Sequence, residues 1–143
     1  MNTATLPTPR SIAGKPLRIG LWAVQLIAAS IFIAAGLAKL TTPLPDLAKT
    51  IPWTADYSVV FVRFIGLVDL LGGLGLVLPA ATRILPRLTV LAALGCVVLQ
   101  VMAMAFHVSR GELDVLPLNA VLLSASAFVL WGRGRRLPIA PRR

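Results

Sequence analysis

Four stretches of this chain are almost wholly apolar, and each is close to the length needed to cross a membrane. The first covers about residues 19–40, which as a helix rising 1.5 Å per residue is about 33 Å long against a hydrocarbon core of ~30 Å. The second covers 59–78, the third about 85–107, and the fourth, the shortest, 116–131. Polar and conformationally restricted residues punctuate them. Ser58 suits the N-cap of the second helix and Pro79 its end, Pro86 fits the first turn of the third, and Asp114 followed by Pro117 suits the start of the fourth. Residues 41–58 hold Pro43, Pro45 and Pro52 with Trp53 and Tyr57, the composition of a loop at a membrane interface. The pattern predicts an all-α integral membrane four-helix bundle (19–132) between basic tails at 1–18 and 133–143. A secretory signal peptide also places basic residues before an apolar run, but the first run exceeds the usual 7 to 15 residues.

Composition agrees, since 57% of the residues are hydrophobic and 13% charged, where soluble domains carry roughly 25% charged residues. The net charge of +9 raises the question of nucleic acid, and its distribution answers it. The N-terminal tail, the second connection and the C-terminal tail are basic without an acid, whereas the first and third connections hold Asp46, Asp56, Glu112 and Asp114. Four helices with both termini cytoplasmic satisfy the positive-inside rule at every connection. The expected location is a bacterial-type inner membrane, multi-pass, N-in and C-in. No aromatic interleaving or binding motif accompanies the arginines, so nucleic acid is not an expected partner. The lone Cys96 excludes an internal disulfide and a CxxC redox pair.

The residues that a bilayer should exclude are the informative ones. At 100° per residue Arg63, Gly66 and Asp69 share one wedge of the second helix, with Leu67, Leu71 and Leu78 on the other side. Six residues apart, Arg63 and Asp69 are badly placed to pair within the helix, so each needs a partner elsewhere. The first helix aligns Gln25, Ala28, Ala29, Phe32, Ala35, Gly36 and Lys39; the third aligns Ala93, Cys96, Gln100, Met104 and His107; the fourth offers Asn119 and Ser126. Convergence of these stripes would let Lys39, Arg63, Asp69, Gln100, His107 and Asn119 line one outward-opening pocket, with Glu112 as lid or counter-charge. Each has a structural reading too: Lys39 snorkelling to the interface, Arg63 gripping a lipid phosphate, Asp69 locking helices as a neutral acid, Gln100 and Asn119 bonding between helices. No metal site is expected, because a single histidine lacks further ligands at metal spacing.

Ala35-Gly-Leu-Ala-Lys-Leu40, the segment from Arg63 through Gly66 and Asp69 to Pro79, and Ala105-Phe-His107 with the closing Trp-Gly-Arg133 together resemble the DoxX-like family of small four-helix membrane proteins. Where that family commonly has glutamate, this chain has Asp69, one methylene shorter. The resemblance implies a link to membrane redox systems, among them a thiosulfate to quinone oxidoreductase. The expected role is an accessory or anchor subunit with a polar pocket for a quinone or similar amphiphile. The chain carries no haem ligand pair, flavin fingerprint or iron–sulfur cysteines, so electron transfer would need a redox-enzyme partner, and intrinsic catalysis is not expected. A small-solute transporter working as a homo-oligomer and a purely structural membrane partner are the alternatives, one exploiting the charges and the other the glycine face.

The topology makes a direct prediction. Cysteines introduced near Thr42 and Gly111 should react with a membrane-impermeant thiol reagent from the external side only, while Cys96 should react from neither. Labelling of either new cysteine from the cytoplasm would overturn the charge argument.

Overall fold

The computed structural model describes residues 14–142, and the described part is all helical. In chain order the helices are α1 (Gly14–Thr41), α2 (Leu44–Thr50), α3 (Val59–Thr82), α4 (Arg87–Ser109) and α5 (Leu116–Trp131). A 3₁₀ turn, Pro52–Asp56, follows α2, another, Leu113–Val115, leads into α5, and a π turn, Gly132–Arg136, extends it. Four of these segments are long and apolar enough to span a membrane: Gly14–Thr41, Val59–Thr82, Arg87–Ser109 and Leu113–Arg136. Side chains such as Leu67, Leu71 and Leu78 on α3 lie 45–58% exposed, which suits lipid as the surrounding solvent.

Several boundaries differ from those the sequence pattern predicts. The first helix is already formed at Gly14, inside the expected tail; the rest of that tail lies outside the described residues. Pro79 does not end α3, which runs one turn further to Thr82. The proline forfeits only the bond to the carbonyl four residues back, and Arg83, left-handed at φ 61°, closes the helix by donating its N–H to Pro79 O at 3.0 Å. Pro86 precedes α4 as its N-cap, so that helix starts at Arg87 and continues to Ser109. Between the first and second spans, Pro43 and Pro45 start α2 rather than an irregular loop. The expected C-terminal tail is structured at its start: Gly132 and Arg133 are buried, and further on Arg142 N–H donates to Arg83 O while Arg83 Nε donates to Ala140 O.

Two clusters hold the bundle. The larger gathers Ala28, Ala29, Phe32, Leu76, Ala93, Cys96, Leu122 and Val129 from all four spans. The smaller, at one end, packs Leu47 and Trp53 from the first connection on Val62, with Trp53 edge-on to Tyr57, Phe61 and Phe106 at 5.7–6.4 Å between centroids. That connection is therefore anchored to α3 and α4.

The closest approach is between α1 and α3, and it depends on missing side chains. A Cβ at Gly36 would stand 2.6 Å from Leu70 N and 2.7 Å from Gly66 O; one at Gly66 would stand 2.7 Å from Lys39 Cβ; one at Gly73 would stand 2.8 Å from Ala29 O. Backbone cannot swing aside as a flexible side chain can, so the helices would have to separate. Gly36→Ala and Gly73→Ala should each destabilise the protein by about 1–3 kcal/mol. Gly20→Ala, with nothing within 4 Å, should be neutral or slightly stabilising. Unfolding in a detergent–denaturant titration checks both, and equal effects at Gly20 and Gly36 would contradict this account.

Candidate functional site

Asp69 lies on α3 ten residues in from Val59, about 15 Å along a helix of about 36 Å. Its carboxylate has no route to water along a short arm, and it meets a cation from the neighbouring helix. Lys39 Nζ donates to Asp69 Oδ2 at 2.9 Å, with the two side chains 10% and 9% exposed. Lys39 thus turns into the bundle rather than snorkelling outward. A carboxylate left unpaired here would neutralise or drag in water, and the Lys39 ammonium beside it offsets that cost.

Arg63 does not join that pair. Its guanidinium donates through Nη1 to Lys39 O and through Nη2 to Thr42 O, the latter at 2.8 Å. These carbonyls belong to the C-terminal end of α1, where helical carbonyls lack intrahelical donors and carry partial negative charge. Arg63 therefore caps α1 and fixes the segment that aims Lys39 at Asp69. The wedge of α3 splits into two jobs: Arg63 holds the backbone of α1 and Asp69 holds its side chain, while Gly66 between them makes room for both.

The remaining polar residues come to this level by helix register. Gly72 faces Cys96 and Gly75 faces Ala92, so α3 and α4 run antiparallel, and one turn beyond Cys96 brings Gln100 level with Val68 and Asp69. Val90 of α4 shares a groove with Ala127, Leu130 and Trp131 of α5, and ten residues along the antiparallel pair bring Gln100 level with Asn119. Each span thus contributes one polar residue to a common layer: Lys39, Asp69, Gln100 and Asn119. Two atoms of this layer are buried without a hydrogen-bond partner among the described residues, the acceptor Gln100 Oε1 and the donor Asn119 Nδ2.

His107 lies two turns from Gln100 toward the acidic end, and it is committed there. Its Nδ1 is 2.7 Å from Glu112 Oε2, Arg110 Nε donates to Glu112 Oε1 at 2.8 Å, and Arg110 Nη2 donates to Asp56 Oδ2 at 2.6 Å. Glu112 acts as the counter-charge of this chain of contacts. The hydrogen bond from Arg110, followed by that from His107, holds its carboxyl below the usual glutamate range. The network ties the 3₁₀ turn Pro52–Asp56 to the α4–α5 connection, making an ordered cap over this end of the bundle. The structure therefore pairs Lys39 with Asp69, holds Arg63 on the end of α1 and His107 on Glu112, and by helix register puts Gln100 and Asn119 at the level of the pair. No three His, Cys, Asp or Glu side chains come within metal-binding range among the described residues.

This constellation, with Lys39, Arg63, Gly66 and Asp69 binding α1 to α3, falls inside residues 23–129, which match the model of the DoxX-like family. The chain belongs to the DoxX-like family. No curated protein and no solved structure matches it. The family model covers all four spans and stops before Arg133. That residue, buried at the opposite end and donating to Gln25 Oε1 at 3.0 Å, was not visible to a reading that ended the fourth helix at Trp131. Its one sequence signal is Gln25, a polar residue in the inner stripe of α1.

The pair predicts an asymmetric mutational response. Asp69→Leu alone buries an uncompensated lysine and should cost about 3–5 kcal/mol, whereas Lys39→Met with Asp69→Leu should recover most of that loss. A double-mutant cycle on unfolding measures the coupling; additive effects would contradict a direct pair.

Proposed function

We propose that this DoxX-like protein is a small accessory or anchor subunit of a membrane redox system, and that its four-residue polar layer holds the head group of a quinone-like amphiphile. The reading is carried by two buried groups without a hydrogen-bond partner among the described residues, which helix register puts at the level of the Lys39–Asp69 ion pair: Gln100 Oε1, which accepts, and Asn119 Nδ2, which donates. A quinone offers a carbonyl oxygen to the amide donor, and its quinol offers a hydroxyl to the amide acceptor. The tail of such a molecule belongs in the bilayer. Lys39 and Asp69 supply a fixed dipole near this head group, favouring charge that develops on its oxygens. The chain's own residues bind and orient; the electrons are exchanged with a partner that carries a redox centre.

Topology follows the same reading. The basic end faces the cytoplasm of a bacterial-type cell, and the ordered cap of Asp56, His107, Arg110 and Glu112 faces outward, supported by the absence of acidic side chains from the cytoplasmic connections. His107 and Glu112 lie between the layer and the outer aqueous phase, on the side from which a quinol's proton would leave.

The test uses the full chain in mild detergent with a short-tailed benzoquinone as probe, read by native mass spectrometry. Wild type should bind one equivalent. Gln100→Leu and Asn119→Leu, near in volume, should each weaken binding about fivefold to tenfold, the worth of one hydrogen bond of about 1–1.4 kcal/mol. Absence of binding to wild type, or unchanged binding in both variants together with raised thermal stability, would show that the two amides serve packing alone.

A further inference from the structure

At the end of the bundle away from the acidic cap, arginines gather without any acidic side chain. Asp46, Asp56, Glu112 and Asp114 belong to the opposite connections and Asp69 is spent on Lys39. One of these arginines is buried. Arg133 is 4% exposed; its Nε donates to Gln25 Oε1, its guanidinium lies 4.9 Å from the Trp22 ring centroid, and its Nη2 is enclosed without a hydrogen-bond partner among the described residues. Gln25 in turn donates its amide to Leu76 O. Among the described residues Arg133 therefore receives a dipole and a ring face, but no counter-charge, and the nearby Arg18 opposes it further.

Arg133 also walls a groove of about 420 Å³ whose lining includes Arg87, Val90, Leu91, Leu94 and Pro138. Arg87 is exposed at the first position of α4, where the helix N-terminus adds partial positive charge. The floor is apolar and leads away from the arginines: Leu91, Leu94, Val98 and Val101 follow one face of α4 at 46–63% exposure. Trp22 beneath Arg133 and Trp131 beneath Arg136 set this arginine level at a membrane interface. A cationic mouth thus opens onto an apolar track.

We propose that this groove binds an acidic phospholipid, with its phosphate between Arg87 and Arg133 and an acyl chain along the Leu91 to Val101 face. The exposed Arg87 suits the phosphate because its planar fork donates two parallel bonds, while Arg133, with Nε committed to Gln25, adds its unmatched charge. The track is what favours a lipid over a soluble anion, since a free phosphate would leave it unused. Arg133 stands fourteen residues from Asn119, about 21 Å along the helix, so this site is independent of the head-group layer proposed above.

Delipidated full-length protein titrated with phosphatidylglycerol or phosphatidylcholine, and read by native mass spectrometry, tests the proposal. Phosphatidylglycerol should be retained over phosphatidylcholine, and Arg87→Gln should weaken that retention about fivefold, as expected for one surface arginine worth ~1 kcal/mol. Arg142→Gln, at the same end but outside the groove, should leave it unchanged. Arg87 carries the test because it is exposed, whereas replacing Arg133 also removes its contacts to Gln25 and Trp22. Three results would each overturn the proposal: equal retention of the two lipids, which marks an unselective annulus; an Arg142→Gln loss as large as that of Arg87→Gln, which marks diffuse charge; or displacement of phosphatidylglycerol by equimolar inorganic phosphate, which marks a soluble-anion site.

Discussion

A carboxylate about 15 Å along a membrane helix must find a cation or give up its charge, and the contact between Asp69 and Lys39 meets that demand at 2.9 Å. Much else in the bundle is arranged so that the contact can form. A lysine on α1 reaches an aspartate on α3, whose arm is short, only if the two backbones lie close, and Gly36, Gly66 and Gly73 remove the side chains that would keep them apart. Arg63 then holds the end of α1 by two of its carbonyls, so the lysine is aimed and not merely nearby. Glycine spacing, helix capping and ion pairing are here three parts of one local solution, which accounts for their concentration in a single segment of α3.

The spans and the inward wedge of α3 were legible because a bilayer exaggerates the difference between apolar and polar positions. Arg63 and Asp69 could be assigned to partners on other helices from helical spacing alone. Their identities could not, since Lys39 near the end of a span satisfies snorkelling and pairing equally well until the separation of α1 and α3 is known. Arg133 was hidden for a different reason. The apolar pattern ends at Trp131, and a run of glycine and arginine after it reads as a solvated tail, yet a π turn carries the helix onward and folds Arg133 over Trp22. Pro79 misled in the same way, because the cost of a proline is counted from a single lost bond while the continuation of α3 is set by packing of residues such as Ala80 on its neighbours.

The two ends of the bundle handle charge in opposite ways. At the acidic end, Asp56, Glu112, Arg110 and His107 contact one another, and the first connection is fastened down by both these contacts and the aromatic packing of Trp53, Tyr57 and Phe106. At the basic end the arginines face aromatic rings and backbone carbonyls, neither of which cancels a full charge. An end that is internally neutralised is stable against any neighbouring phase. An end that is not must be neutralised by what surrounds it, and in a membrane the available anions sit at the phosphate level.

Between these ends lies the layer of Lys39, Asp69, Gln100 and Asn119, where charge is balanced but hydrogen bonding is incomplete. A layer that served helix packing alone would gain from apolar substitution at Gln100 and Asn119, because a vacant buried amide carries its desolvation cost with no return. In the proposed reading, a matched ion pair at the level of two amides that are not matched keeps the site's own charges fixed while leaving neutral donor and acceptor positions for a guest.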